Sequence, residues 1–302
     1  MKTVTKDYIR QREQRTGLLL LLPAALLLLL VYAFPILRAF WLSFFTENLS
    51  NNLEPVFSGL DNYAQMAQDG RFWQSMRNTA VFTVFTLIFE LILGLIIALC
   101  LDQAFRGRGW VRTIAILPWA LPTALIALAW RWIFNTEFGV WNDLLMRLQL
   151  IAGPINWLGE PLWAMVAVIG ADVWKTTSFV AILLLAGLQS ISQDLYEAHA
   201  LDGASPWQSF RQITLPLIAP QIVIALLFRF AQSFGIFDLI QVMTGGGPGG
   251  ATEMVSIYIY AAVMRYLDFG YGAALVTVTF LVLVAVVALT ALYISRLRAS
   301  TE

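Results

Sequence analysis

The chain has 302 residues, of which 59% are hydrophobic and 13% charged, with a mean hydropathy of +0.72; a soluble protein carries roughly a quarter of its residues as charges, so this one cannot cover its core with a polar surface and must meet lipid. Lys plus Arg and Asp plus Glu both total 19, which leaves no basic excess to favour a nucleic-acid partner. A single Cys, Cys100, excludes an internal disulfide, and with His199 as the single histidine the composition argues against a multi-ligand transition-metal site.

About 20 mostly apolar residues cross a bilayer as a helix. In chain order the first such window is Gly17 to Leu37, without a charge. It follows a basic stretch, as a signal peptide does, but it continues through Phe34 and Pro35 into Phe40, Trp41, Phe44 and Phe45 without a small-residue cleavage site, and is read as a retained helix. The second runs from Thr79 to Leu101 around Glu90, and the third from Thr113 to Phe134 with Arg131 near its end. The fourth spans Leu162 to Leu188 and holds Asp172 and Lys175; the fifth, Leu215 to about Phe237, holds Arg229; the sixth covers about Gly272 to Ile294. The expected architecture is all-α, a polytopic membrane protein of six helices. It has a tail at 1–16, one membrane domain at 17–295 and a second tail at 296–302, with its longest outer loops at about 45–78 and 238–271.

Basic residues orient it. Lys2, Lys6, Arg10, Arg12 and Arg15 precede span one, Arg106, Arg108 and Arg112 follow span two, and Arg211, Arg296 and Arg298 fall on the same side, against Arg71, Arg77, Arg147 and Arg265 on the other. The positive-inside rule then places both termini in the cytoplasm, in agreement with an even number of spans.

Catalytic signatures are missing. The lysines are Lys2, Lys6 and Lys175, none after a glycine, so no Walker A sequence exists. The run Thr244-Gly-Gly-Gly-Pro-Gly-Gly250 lacks the lysine of a phosphate cradle and reads as a flexible outer turn. No G-x-S-x-G is present, and His199 lies in a cytoplasmic loop rather than at membrane depth. The chain is read as a non-enzyme.

That loop, residues 190–216, is the densest in signals. Ser192 suits an N-cap, Asp194 the first turn, and Gly203 the left-handed residue that ends a helix of about nine residues; Ser205-Pro206 then starts a second helix that enters the membrane at Leu215-Pro216. Ala198, Ala200 and Ala204 keep the short helix slim, and Glu197 and Asp202 offer carboxylates to a basic partner. The residues alone allow two readings, a surface connector or a docking helix.

Glu197-Ala198, Asp202-Gly203-Ala204, Ile213, Leu215 and Pro216 together resemble the EAA loop of ATP-binding-cassette importer permeases. Leu185-Ala-Gly-Leu-Gln189, Thr244-Gly-Gly-Gly-Pro248 and the pattern Leu22-Pro23, Tyr32, Pro35, Ser43 are similar to the carbohydrate branch, the maltose, trehalose and glycerol-3-phosphate type, and to the first of its two permeases. The likeness extends from about Leu20 to Arg298; His199 departs from the Glu-Ala-Ala triplet at its third position. The resemblance implies a type I importer fold in a bacterial inner membrane and a coupling role for the loop, with Glu197 facing the partner and Gly203 as the turn. It also implies a second permease forming a heterodimer, an ATPase dimer that binds ATP and Mg²⁺ so that this chain needs no cofactor, an extracytoplasmic sugar-binding protein, and a sugar as cargo.

Ionisable groups inside spans are costly and face a bundle interior. Asp172 and Lys175, three apart, can pair on one face with Thr176 a turn beyond Asp172, and Arg229, Gln232, Ser233 and Ile236 share a face of span five. Two readings stand: a structural ion cluster, or a sugar site in which these groups meet hydroxyls while Trp174 or Phe234 covers a ring face. In the resembling permeases the substrate is held from these two helices, which implies Asp172, Thr176, Gln232 and Ser233. Glu90 is left between structure and path. A different mechanism, ion-coupled secondary transport through Glu90 and Asp172, competes with the importer; the EAA loop is the feature only the importer requires.

Overall fold

The computed structural model describes residues 16–17, 19–50 and 54–299, and of residues 293–299 only the backbone. The basic N-terminal tail and the last residues of the C-terminal tail therefore lie outside the described residues. Contacts divide the chain into two units, one of residues up to Gln68 with Ile259–Val284 and one of Asp69–Tyr258 with the chain from Ala285. No linker composition in the sequence marks this division.

In the first unit, helix α1 (Leu19–Leu42) is apolar but for Arg38 near its end, and its side chains are largely open to the surroundings. It contains a π-turn at Leu29–Ala33, closed by the Phe34 amide on the Leu29 carbonyl. The next residue is Pro35, whose missing N–H and bulky ring disrupt the regular ladder there. A short antiparallel hairpin, β1 (Phe45–Thr46) and β2 (Val56–Phe57), leads to helix α2 (Asp61–Gln68). The buried Asn62 amide ties them, donating to the carbonyls of Ser43 and Phe45, each at 2.9 Å. Gly270 packs on the same hairpin; a Cβ there would lie 2.2 Å from the Phe45 carbonyl oxygen, so only glycine fits.

The second unit is built on α3 (Gly70–Asp102), α7 (Pro161–Leu188) and α9 (Pro206–Phe234). Their crossing is close because Gly94 of α3 faces Val180 of α7, where a Cβ would come within 2.7 Å of Val180 Cγ1. Below this crossing Ala98, Leu101, Leu184, Leu188, Ile218 and Ala225 form one buried apolar cluster; above it Phe82, Ala167, Val168, Ala171, Leu239 and Ile240 belong to another. α3 begins nine residues before the expected start, Asp69 capping it by accepting the Arg71 amide at 2.9 Å. Much of the expected outer loop is thus helix.

The third predicted span is a broken one. α4 (Arg108–Ala120) and α5 (Thr123–Ile133) meet at 91°. Leu121 is extended, with ψ 143°, because the ring of Pro122 clashes with a helical residue before it. Among the described residues five helices are therefore long and apolar enough to cross a bilayer, six with the bent pair, matching the expected number. Shorter helices α6 (Val140–Arg147), α8 (Gln193–Leu201), α10 (Asp238–Met243) and α11 (Val255–Arg265) precede the last span, α12 (Phe269–Ala299). The loop around α6 is organised by Asn142, 2% exposed, which donates to the carbonyls of Thr136 and Ile155 and accepts from the Ile155 amide and the Trp157 indole.

The glycine run at 244–250 is a turn, as expected, but not a loose one. Gly245, Gly246, Gly249 and Gly250 take positive φ. Thr252, fully buried, contacts the Thr244 hydroxyl at 2.7 Å and donates to the Gly247 carbonyl at 2.6 Å, and Asn78 donates to Gly250 O at 2.8 Å. The Gly247 carbonyl is thus satisfied from Thr252 and the Gly250 carbonyl from α3, which fixes the turn.

Candidate functional site

α3, α7 and α9 bring together the polar residues their apolar sequences carry. Arg229 is the hub: Nε donates to Glu90 Oε2 at 2.6 Å, and Nη2 lies 2.7 Å from Glu90 Oε1, 2.8 Å from Asp172 Oδ2 and 2.9 Å from Ser233 Oγ. Nη1 donates to Gln232 Oε1 at 2.8 Å. The Thr176 hydroxyl sits 2.6 Å from both Glu90 Oε1 and the Asp172 carbonyl, two acceptors sharing its hydrogen. Glu90 is fully buried, Arg229 3% and Asp172 4% exposed. Charges at such depth persist only when paired and hydrogen-bonded, and here each carboxylate has a donor from another helix.

The expected Asp172–Lys175 pair is replaced by Asp172–Arg229. Spacing along one helix makes that pair possible, but Arg229 arrives from a neighbouring helix with a planar fork that serves Glu90 and Asp172 at once. Lys175 makes no ion pair among the described residues and stands in the wall of a cavity of about 470 Å³. Asp172, Thr176, Arg229, Gln232, Trp119 and Asp238 also line it. Ser233 does not: it is wholly buried behind the wall, bonded to Arg229. Neither aromatic expected to cover a sugar lines the cavity. Trp174 packs on Trp130 and Phe234 on Phe230, while the aromatic rings in the lining are those of Phe237 and of Trp119, which is stacked on Phe179 at 5.5 Å. The sequence signal for Trp119 was Pro122 three residues on, which breaks the span and ends α4 at the cavity.

The loop at 190–216 folds as its caps dictate. Ser192 accepts the Asp194 amide at 3.3 Å, α8 has nine residues, and Gly203 follows with φ +84°. Ser205 Oγ accepts the Gln208 amide and Gln208 Oε1 accepts the Ser205 amide, a capping box that encloses Pro206. α9 then runs on without a break in helicity, through a π-turn at Phe210–Thr214 just before Pro216. Two side-chain bridges join α8 to the start of α9: Tyr196 to Thr214 at 2.8 Å, and His199 to Ser209 and Gln212, each at 3.0 Å. His199, the departure from the triplet, thus locks the two helices together. Glu197, Ala198, Asp202 and Gly203 are exposed, Ala204 is half-buried, and Leu215 and Pro216 lie exposed where α9 continues. Sequence reasoning missed Leu201 and Trp207, 89% and 67% exposed at the tip; two large apolar residues inside a polar loop were the available sign.

Residues 90–299 match the family model described as "Binding-protein-dependent transport system inner membrane component". The chain belongs to this family. Among its relatives, the trehalose/maltose transport system permease protein MalF of Thermococcus litoralis is 40% identical over 92% of both chains. The sulfoquinovosyl glycerol transport system permease protein SmoG of Agrobacterium fabrum is 41% identical over 95% of this chain and 91% of its own. Among solved structures, a chain of a bacterial ABC transporter involved in the import of the acidic polysaccharide alginate superposes with a TM-score of 0.79 at 24% identity, covering 97% of this chain and 98% of that one. The fold is that of a type I ABC importer permease. This inner membrane component is a multi-pass transporter subunit, and the 190–216 loop falls inside the matched region.

Proposed function

We propose that this chain is the permease subunit of an ATP-driven importer that carries a sugar delivered by an extracytoplasmic binding protein. The observation that carries the reading is the helix–turn–helix at 190–216, rigid within itself and exposed at its tip, in a chain of this family. Leu201 and Trp207 supply an apolar tip for an ATPase groove, Glu197 and Asp202 the charges around it, and Gly203 and Ala204 the tight turn; Leu215 and Pro216 carry the movement into α9. ATP and Mg²⁺ are held by the ATPase dimer, so this subunit itself performs no bond-breaking chemistry. A second permease completes the pathway, with both termini in the cytoplasm and the assembly in a bacterial inner membrane.

The cavity between α7 and α9 is the sugar's place in this reading. Lys175 and Gln232 present donors, Asp238 an acceptor, and Trp119 a ring face, the set that recognises hydroxyls around an apolar ring. Asp172, Thr176, Arg229 and Ser233 shape that wall. Relatives named for trehalose, maltose and sulfoquinovosyl glycerol support a glycoside as cargo.

The test is co-expression with ATPase, second-permease and binding-protein genes from the same genome, followed by purification and ATPase measurement with trehalose, maltose and sulfoquinovosyl glycerol. The complex should form and one of these sugars should stimulate hydrolysis in the presence of the binding protein. Uptake by the chain alone, driven by a proton or sodium gradient without ATP, would establish the secondary-transport alternative instead.

A further inference from the structure

Arginine has N–H donors and no acceptor, so the Gln232 atom 2.8 Å from Arg229 Nη1 is necessarily the carbonyl oxygen. The Gln232 NH₂ is thereby turned away from the cluster, and Gln232 is exposed and in the cavity wall. What fixes Arg229 is Glu90. Its two oxygens take Nε at 2.6 Å and Nη2 at 2.7 Å, a fork that sets both the position and the plane of the guanidinium. Glu90 itself is fully buried and is not part of the cavity lining. It touches nothing that enters there.

We propose that Glu90 is a positioning residue for substrate selection: by clamping Arg229 it holds the Gln232 amide with its NH₂ in the cavity, so that this wall, with the Lys175 ammonium, offers N–H donors to the oxygen atoms of a sugar. The inference rests on the cavity being the sugar's path. Without the fork, Arg229 keeps its bond to Asp172 but loses its fixed plane, and the Gln232 amide is free to turn its carbonyl outward. The wall then presents an acceptor where the sugar needs a donor.

The test uses the assembled importer in proteoliposomes with saturating binding protein, trehalose and maltose being the probes, and reads sugar moved per ATP hydrolysed. Glu90→Gln should lower that ratio by about 5- to 50-fold, as should Gln232→Ala, the range expected for losing one well-placed hydrogen bond. The double variant should be no worse than Gln232→Ala alone, because Glu90 acts through Gln232. Additive losses, or uptake and ATP hydrolysis falling together at a constant ratio, would overturn the positioning role and leave Glu90 purely structural. If Gln232→Ala and Lys175→Ala both leave the ratio and the trehalose-to-maltose preference unchanged, the cavity is not the path and the reading beneath the inference falls with it. If Gln232→Ala impairs transport and Glu90→Gln does not, only the role of Glu90 is refuted. Should Glu90→Gln fail to assemble, Glu90→Asp keeps the charge, shortens the reach and undergoes the same comparison.

Discussion

Replacing Arg229 by Met removes the charge while keeping an unbranched side chain of similar length. Glu90, with no exposed surface, loses donors at 2.6 and 2.7 Å, and Asp172 loses one at 2.8 Å. Glu90 is then buried without a cationic partner, and Asp172 is left with Lys175 of its own helix, which makes no ion pair with it in the wild type. Breaking a buried pair from one side costs about 3–5 kcal/mol, a factor of roughly 150 to several thousand in an equilibrium constant. The variant should accumulate poorly in the membrane, and what is purified should unfold well below the wild type when followed by fluorescence-detected size exclusion over a temperature series. Replacing all three charges together, Arg229→Met with Glu90→Leu and Asp172→Leu, should recover most of the lost stability, because the cost comes from charges left alone rather than from the loss of the pair. A single variant that melts like the wild type, or a triple variant no better than the single, would refute the account of the cluster.

Gly203→Pro should abolish sugar uptake with the protein still in the membrane: φ is +84° where proline requires about −65°, and the Gly203 amide that donates to Ala200 is lost; normal uptake in vesicles would show that the turn can be remade. Leu201→Asp combined with Trp207→Ala should weaken co-purification of the ATPase by at least about tenfold, the size expected for losing apolar anchors at an interface; an unchanged ATPase-to-permease ratio on a gel would place the dock elsewhere. Gly94→Leu should reduce folded yield sharply, since even a Cβ meets Val180 at 2.7 Å; wild-type yield would mean that α3 and α7 can separate without penalty. Asn142→Ala should destabilise the loop around α6 by about 2–4 kcal/mol, as it leaves the Trp157 indole and the Ile155 amide without their acceptor; protease resistance equal to the wild type would contradict that.

Local chemistry was legible in the sequence. Span positions follow from runs of apolar residues long enough for a bilayer, and the helix–turn–helix at 190–216 follows from Ser192, Gly203 and Ser205-Pro206, whose capping preferences act within a few residues. The break in the third span was equally local, written in Leu121-Pro122, though hydropathy alone averaged it away. What the sequence did not contain was the choice among partners that several residues could each satisfy. Asp172 can pair with Lys175 along its own helix or with Arg229 across to another. Only the approach of α3, α7 and α9, permitted by Gly94 against Val180, brings the guanidinium between two carboxylates. The same packing decided that Glu90 belongs to the cluster, that Ser233 lies behind the cavity wall and Gln232 in it, and that Trp119 rather than Trp174 faces the space between them. Sequence periodicity gives each helix its polar face; which face meets which is set by interhelical geometry, where a buried charge takes the donor that leaves fewest groups unsatisfied.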